Sequence, residues 1–413
     1  MSTINDILSL IPEMKTGEQL TQELLVLPEY SVDIKEENAA VRLMRLEDIY
    51  SIYIPSDMTK EIYSKLYLTM LRSLTKKNSR IAVMQQNENH KKILGRESTG
   101  IIGGSDSFLI TGNSGIGKSS AVIKSIMLAS DNRIIEIDNP YQKIIPCLVV
   151  QCPFDSSVKG LLLEILRKVD EVLDTTYYTQ AVKMTATIDS LIGSISQVAL
   201  NHIGLLIVDE IQNVVKHKGG VNLVAMLTQL INNAGISICM VGTPESENFF
   251  SQIDYLARRA LGLTYTESPY NEYFRNFCNT VFSYQYVKNK SEITDGIIEW
   301  LYEHSSGLVS NVITLIHDAQ EIAILSGREI LDLTALNIAY RERMSTLHRF
   351  INPSVKTPVN KTSQVRKQKL ILEDCNVDTD NVSIFEISQK AKAEEKDLIS
   401  VLKEAIRITE IAV

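Results

Sequence analysis

A glycine-rich octapeptide has the residue types and spacing that bind a triphosphate. It reads GNSGIGKS over residues 112–119 and matches the pattern GxxxxGK[ST] between an apolar run and a helical pattern. The glycines let backbone N–H groups turn toward phosphates, and the following helix N-terminus adds partial positive charge. We expect Lys118 to neutralise the β and γ phosphates and the Ser119 hydroxyl to bind Mg²⁺, which prefers oxygen ligands. The predicted cofactors are ATP and Mg²⁺, and the predicted nucleotide-binding residues are Gly112, Asn113, Ser114, Gly115, Ile116, Gly117, Lys118, Ser119 and Ser120.

Two adjacent carboxylates follow a second apolar run, GLLIVDE. Asp209 would lie at the carboxyl end of a buried strand, the edge where open α/β sheets bind ligands, and would hold the metal through water. Glu210 could polarise the water that attacks the γ phosphate. A helix-capping role is the alternative for Glu210. Thr243 ends the run ISICMVGT, where we expect the sheet to meet the nucleotide, although a strand-terminating turn before Pro244 is also consistent with the pattern.

Paired arginines occur in the short helical pattern DYLARR. The planar guanidinium suits bidentate phosphate contact, so Arg258 or Arg259 could complete the site of a neighbouring subunit. An intramolecular salt bridge is equally compatible with the sequence.

The elements that must position these residues alternate along the chain. Apolar runs such as SFLITG, IPCLVVQC and GLLIVDE are separated by helical patterns such as SSVKGLLLEILRKVDEVL. This alternation predicts an α/β fold with a parallel sheet sandwiched by helices. From about residue 271 to 344 every segment has helical spacing, which predicts a small all-α lid subdomain.

At 413 residues, two or three structural units are expected. The predicted divisions are a non-catalytic N-terminal extension over 1–55, a nucleotide-binding α/β domain over 56–270, a helical lid over 271–350, and a linker with a partner-binding tail over 351–413. The nucleotide domain begins with a helix near Ser56, and the polar, basic stretch from Lys76 to Arg96 is expected to be an exposed connector.

Composition limits the functional classes. Hydrophobic residues make up 44% and charged residues 22%, which is ordinary for a globular protein. The net charge of −8 means that nucleic-acid binding would need a local basic surface. No apolar run approaches the roughly 20 residues that span a bilayer, so we expect a cytoplasmic protein without a membrane partner. The five cysteines contain no CxxC pair and are expected to be reduced thiols.

The ordered set of GNSGIGKS, LLIVDE, Thr243, Arg258-Arg259 and a helical lid resembles the AAA+ ATPases over roughly residues 105–345. Within that class the chain resembles TnsC and TniB, the ATP-dependent regulators encoded by transposons. The closer likeness is carried by LVVQCPFDSSVKGLLLEILRKVDEVLDTTY, IGLLIVDEIQN, CMVGTPE, LARRALG and SSGLVSNVITLIHDAQEIAI.

This resemblance implies an ATPase that assembles on double-stranded DNA as a homo-oligomeric ring or helical filament. It would connect a target-selection protein, RNA-guided or a sequence-specific DNA binder, to transposase subunits, with hydrolysis controlling assembly and disassembly. By the family pattern, Thr243 would be the sensor and Arg258 or Arg259 the finger that reaches across subunits. The nucleotide, metal and hydrolysis residues carried over are Lys118, Ser119, Asp209 and Glu210.

Two positions are less determined. Where many AAA+ lids offer an arginine to the γ phosphate, the segment GLVSNV offers Ser310 and Asn311. Lys159, at the start of the helix after the second strand, is the leading candidate for DNA contact, with a merely solvated lysine as the alternative.

A signalling ATPase of the STAND kind is the alternative function; it would need a C-terminal sensor or repeat domain, and about sixty residues follow the lid.

Overall fold

The computed structural model describes residues 9–77, 80–93, 96, 107–138, 141–184, 186–217, 219–234, 236–251 and 262–347. Its strands form one six-stranded sheet in the order β2-β3-β4-β5-β1-β6. The β2–β3 pair is antiparallel, and the other neighbours are parallel. The strands are β1 Phe108–Gly112, β2 Ile135–Asp138, β3 Tyr141–Gln151, β4 Ile203–Asp209, β5 Ser237–Gly242 and β6 Leu263–Tyr265.

Helices cover both faces of this sheet, which confirms the predicted α/β fold with a helical region after it. They are α1 Gly17–Leu24, α2 Ala39–Leu46, α3 Asp57–Lys77, α4 Arg80–Ile93, α5 Lys118–Ser130, α6 Val158–Leu173, α7 Tyr177–Lys183, α8 Ile188–His202, α9 Asn213–Lys216, α10 Gly220–Ala234, α11 Pro244–Ser251, α12 Glu272–Ser283, α13 Asp295–Ser305, α14 Val309–Leu325 and α15 Leu333–Arg343.

The central strands β1, β4 and β5 are mostly apolar, because they are buried along almost their whole length with helices on both faces. In β4, alternate side chains such as Leu206 and Val208 point into a cluster with α6, α8 and α10, whereas Leu205 and Ile207 point into a second cluster with α1, α3 and α5. The polar residues that end β1, β4 and β5 therefore emerge together at one edge of the sheet.

The lid helices α12–α15 pack around their own apolar cluster, which includes Phe274, Leu301 and Leu315.

Among the described residues no single helix is long and apolar enough to cross a membrane. Helices α13 and α14 are together long and apolar enough for this, but they are bent by 116° at their junction.

The N-terminal segment joins the sheet domain to the lid. Leu20 and Leu24 of α1 pack with α3 and α5, whereas Leu46 and the following Ile49 belong to the lid cluster. Arg42 on α2, only 1% exposed, forms a two-pronged ion pair with Glu329 in the lid.

One expectation about the nucleotide domain was wrong. Residues 80–93 of the predicted exposed connector form helix α4, which packs against α8. Gln85 is fully buried, and Gln86 Nε2 donates to Asn201 Oδ1 at 2.8 Å. The sequence pattern did not predict this helix because its buried side chains are polar and depend on hydrogen bonds. Ala, Met, Gln and Lys are nevertheless good helix formers, and no Gly or Pro interrupts residues 80–93.

Candidate nucleotide-binding site

The octapeptide forms the turn from β1 into α5. Gly115 and Gly117 have φ values of 88° and 93°, in the left-handed region that glycine adopts without a steric penalty. A Cβ atom at Gly115 would also lie 2.8 Å from Ser310 Oγ of the lid. The turn thus depends on glycine both for its backbone conformation and for the close approach of the lid. The first N–H groups of α5, which have no partner within the helix, are available to bind an anion.

Lys118 is nearly buried within this turn. Its Nζ donates to Gly112 O at 2.7 Å and to Asn113 O at 2.8 Å. Burial lowers the pKa of Lys118, while the nearby charges of Asp209 and Glu210 oppose that shift. Phosphate oxygens would provide the opposite charge that this ammonium lacks among its carbonyl partners.

The metal-binding candidates meet across the sheet. Ser119 Oγ donates to Asp209 Oδ2 at 2.9 Å, and Asp209 Oδ1 accepts from the backbone N–H of Glu210 at 2.8 Å. A hydroxyl and a carboxylate side by side form an all-oxygen donor set, which fits Mg²⁺ with several of its waters retained.

Glu210 stands in a constrained backbone conformation at the end of β4. Its φ is +59°, uncommon for a residue with a side chain. Its Oε2 accepts a hydrogen bond from Gln212 Nε2, while Gln212 Oε1 is buried without a hydrogen-bond partner among the described residues. Thr243 Oγ1 donates to Glu245 Oε2 at 2.9 Å. Glu210 and Thr243 are therefore each occupied by a neighbouring side chain.

These groups line one cavity of about 270 Å³ at the carboxyl edge of the sheet. Ser310 of the lid reaches it and donates to Gly115 O at 2.9 Å, whereas Asn311 turns away to Ser305 O. Asn113 also lies outside this lining and donates to Glu267 Oε1. The lining residues are Ser114, Gly115, Gly117, Lys118, Ser119, Ser120, Asp209, Glu210, Gln212, Gly242, Thr243 and Ser310.

An adjoining cavity of about 340 Å³ has a mainly apolar lining that sequence reasoning missed. It contacts the same turn at Gly115, Ile116 and Gly117, but its other walls come from the N-terminal segment and the lid. These walls include Val26, Tyr50, Ile52, Tyr53, Tyr273, Val309 and Ile313. Its position beside the phosphate turn suits a flat, apolar base. No sequence pattern indicates this cavity, because its lining residues are distant from one another along the chain.

The remaining candidates lie elsewhere. Lys159 is exposed in the first turn of α6, which Ser157 caps by accepting from Gly160 N at 3.1 Å. It lies outside both cavities. Arg258 and Arg259 lie outside the described residues, as does the tail after residue 347.

The cysteines in the described residues are free thiols. Burial raises the pKa of Cys147 and Cys152 to about 12 and that of Cys239 well above its ordinary value. Such thiols stay protonated and unreactive at neutral pH.

Residues 102–250 match the family model described as an AAA domain, and this range includes the glycine-rich turn, Asp209, Glu210 and Thr243. No curated protein matches the sequence.

Among solved structures, the chain is similar to the Aeropyrum pernix ORC1 protein in complex with DNA, at 15% identity over 63% of this chain and 64% of that one, with a TM-score of 0.41. It is similar to the Aeropyrum pernix ORC2 protein in ADPNP-ADP complexes at 14% identity, 63% and 66% coverage and a TM-score of 0.41. It is also similar to Drosophila ORC bound to DNA at 14% identity, 82% and 72% coverage and a TM-score of 0.45. The chain spans just under two thirds of the length of the two Aeropyrum proteins.

Proposed function

We propose that this AAA-domain protein binds ATP with Mg²⁺ and hydrolyses it to ADP and phosphate. The observation that carries the proposal is the single cavity in which Lys118, Ser119, Asp209, Glu210 and Thr243 converge. The adjoining apolar cavity offers room for the adenine, so a nucleotide could lie across the glycine-rich turn between the two.

Each side chain has a defined part in this reaction. The N–H groups of the turn and of α5 bind phosphate oxygens, and Lys118 neutralises their charge. Ser119 and Asp209 hold Mg²⁺, which when bound draws negative charge from the β and γ phosphates. Glu210 orients the attacking water and accepts its proton, and Thr243 positions the water or the γ phosphate.

Nucleotide binding must exchange a set of internal contacts. Lys118 leaves its carbonyls, Ser119 and Asp209 separate to admit the metal, and Glu210 releases Gln212. Lys118 then pairs with phosphate oxygens, whose negative charge its carbonyl partners lack.

Binding is tested with Lys118→Ala. The variant should lose tight ATP binding, measured by fluorescence of a labelled ATP analogue, because no other lysine or arginine lines the described phosphate cavity. Lys65→Ala is the matched control, since its ammonium lies over the Phe108 ring at 5.4 Å and outside both cavities. Wild-type affinity in Lys118→Ala would contradict the assignment.

We further propose that the protein acts on double-stranded DNA as a regulator of transposition. The sequence resemblance to TnsC and TniB supports this role. It would assemble as a ring or filament and connect a target-selection protein to transposase subunits. Arg258 or Arg259 would reach the neighbouring subunit's site, and the tail over 351–413 would bind a partner.

A local surface supports the DNA part of this proposal. Lys159 follows the loop that carries Phe154, which is 79% exposed. The Phe154 ring packs edge to face against the His217 ring, with the ring centroids 6.4 Å apart. Lys216, which precedes His217, is exposed. A hydrogen bond of 2.9 Å from Ser156 Oγ to Asn213 O holds the two loops together. Cations beside an exposed aromatic ring suit a phosphate backbone despite the net charge of −8.

Duplex binding tests this surface. Lys159→Ala should weaken binding of a random-sequence duplex and reduce the slope of log K against log salt by about 0.9 per lost phosphate contact. Lys168→Ala removes a charge from the same helix at a residue paired with Glu171 and should change neither quantity. Equal effects of the two variants would remove Lys159 from the interface.

The arginines are tested by mixing subunits. If an arginine acts across the subunit boundary, Arg258→Ala or Arg259→Ala should regain hydrolysis when mixed with Glu210→Gln, because mixed assemblies contain sites with both groups intact. Failure to regain hydrolysis with either arginine variant would contradict a role across subunits.

A further inference from the structure

A third cavity lies where the N-terminal segment packs on the lid. Its volume is about 440 Å³, which suits a small organic group and is larger than a single ion needs. Its lining residues all differ from those of the two cavities beside the glycine-rich turn. We call it the acidic cavity, and its principal lining residues are Glu29, Tyr30, Asp33, Glu37, Asp48 and Tyr286.

The charge of the acidic cavity favours a cation. Four carboxylates line it, and the guanidinium of Arg45 is the one positive charge among its described lining residues. Arg45 is 65% exposed and its distance from Asp48 is 3.7 Å, so this pair is weak. Glu29, Asp33 and Glu37 are exposed, so the cavity is open to a ligand from solvent.

Tyr286 contributes a buried hydroxyl without a partner. The residue is 2% exposed, and its Oη has no hydrogen-bond partner among the described residues. Its backbone is fixed, since its N–H donates to Gln320 Oε1 at 2.8 Å and its C=O accepts from Arg42 Nη1 at 2.9 Å. A buried hydroxyl in this state costs free energy unless a ligand satisfies it.

This hydroxyl lies toward the carboxylates of the cavity. Burial raises the pKa of Tyr286, and the nearby charge of Asp48 raises it further, so the phenol stays protonated. The ring packs edge to face against that of Tyr30, with the centroids 5.6 Å apart. The phenol therefore has little freedom to find a partner elsewhere in the protein.

The wall opposite Tyr286 is held in place by backbone groups. Tyr30 Oη donates to Gln285 O at 2.7 Å, and Arg42 Nε donates to Glu37 O at 3.2 Å. These hydrogen bonds fix the segment through carbonyl oxygens, so its carboxylate side chains remain available to a ligand.

We propose that the acidic cavity binds the guanidinium group of an arginine side chain that a partner protein presents. A guanidinium has several N–H donors in one plane, so it can donate to carboxylates of the wall and to the Tyr286 hydroxyl together. It also stacks on aromatic rings, which Tyr30 and Tyr286 supply. Mg²⁺ and Ca²⁺ would use the carboxylates alone and leave most of the volume unfilled. This inference does not depend on ATP hydrolysis.

The test is a ligand-observed NMR titration of the full chain with the capped peptide acetyl-Gly-Arg-Gly-amide, with Mg²⁺ present to occupy metal sites. The peptide should bind saturably. The matched peptide with citrulline in place of arginine has nearly the same shape without the charge, and it should bind at least about 10-fold more weakly. Free butylguanidinium is the second probe, and it should bind more weakly than the arginine peptide.

Variants locate the binding. Tyr286→Phe should weaken peptide binding at least about 10-fold without lowering the free energy of unfolding, because it removes only an unpartnered hydroxyl. Glu37→Gln should weaken binding at least about threefold. Glu36→Gln is the matched control, since Glu36 is also exposed but lies outside the lining. Arg45→Met should strengthen binding, because it removes a competing positive charge.

Three results would each overturn the proposal: absence of saturable binding of the arginine peptide, equal binding of the citrulline peptide, or unchanged affinity in Tyr286→Phe. Equal weakening by Glu36→Gln and Glu37→Gln would also overturn it, because it would indicate a general effect of surface charge. Binding of butylguanidinium as tight as that of the peptide would assign the cavity to a small guanidino compound and contradict the partner protein as its source.

Discussion

Ser119 Oγ and Asp209 Oδ2 lie 2.9 Å apart, although the strands that carry them to this edge, β1 and β4, are separated by β5. The sheet order therefore creates an oxygen pair from residues 90 positions apart in the sequence. We propose that this pair holds the magnesium ion of a bound nucleotide.

Removing the hydroxyl should affect metal-dependent binding selectively. Ser119→Ala is expected to weaken ATP binding at least about 10-fold in Mg²⁺ and little in EDTA, because it deletes one oxygen ligand and leaves the phosphate turn intact. Titration of a fluorescent ATP analogue in both buffers measures this. Ser64→Ala, which deletes a hydroxyl bonded to its own helix on α3, is the control. The same loss in EDTA would contradict a metal-binding role.

Gln212 is expected to restrain Glu210 before nucleotide binds. Its amide donates to the carboxylate, which holds Glu210 in place and occupies an oxygen that would otherwise bind the attacking water. Gln212→Ala should raise basal ATP turnover at least about threefold, measured as steady-state phosphate release. The double variant Glu210→Gln/Gln212→Ala should be as slow as Glu210→Gln alone. Reduced turnover in Gln212→Ala would instead assign Gln212 a positive part in the reaction.

The Arg42–Glu329 pair should stabilise the attachment of the N-terminal segment to the lid. Arg42→Met is expected to lower the free energy of unfolding by about 2–4 kcal/mol, because Glu329 would lose its partner in a largely buried position. Urea unfolding measures this. Arg45→Met is the matched control on the same helix, since Arg45 is 65% exposed and its distance from Asp48 is 3.7 Å. A loss in Arg45→Met as large as in Arg42→Met would contradict the account.

The same pair predicts a response to acid. The hydrogen bond from Arg42 holds the pKa of Glu329 below its ordinary value of 4.5. A depressed carboxyl pKa contributes stability that is present above the unfolded-state value and is lost as pH falls through the folded-state value. The difference in unfolding free energy between wild type and Arg42→Met should therefore shrink below pH 4.5. A constant difference from pH 7 to pH 3 would contradict this reasoning.

Lys77 should make stability rise with pH above neutrality. Burial lowers its pKa to about 7, and its Nζ donates to Ala199 O and Leu200 O at the end of α8. The folded state then binds fewer protons than the unfolded state between about pH 7 and 10, so the free energy of unfolding increases across that window. Partial exposure and the two carbonyls reduce the effect to about 1 kcal/mol between pH 7 and 9. Urea unfolding should show this rise, and Lys77→Met should lack it; equal pH dependence in both proteins would contradict it.

The sequence predicted the fold where the signals are local. The apolar runs of β1, β4 and β5, each followed by polar residues, indicate the parallel sheet and the edge at which the candidate site lies. The helical region after the sheet follows from the helical spacing of residues 271–344. In the structure, the side chains of Thr294 and Asp332 cap two of its helices by accepting from the first turns of α13 and α15.

Features that depend on distant contacts could not be predicted in this way. Arg42 and Glu329 are 287 positions apart, and nothing in either neighbourhood indicates the other. The apolar cavity beside the glycine-rich turn is lined by Tyr53, Tyr273 and Val309, which come together only after folding. Helix α4 was missed because Gln85 and Gln86 satisfy their buried amides through tertiary packing, which hydrophobic periodicity does not record.

The most direct test of the central claim is single-turnover phosphate release by Glu210→Gln, with ATP affinity measured on the same samples. Glutamine preserves the size of the side chain and removes its capacity to accept a proton. The account predicts ATP affinity within about threefold of wild type and phosphate release at least about 100-fold slower. Phosphate release at the wild-type rate would contradict the proposal that this cavity hydrolyses ATP through Glu210.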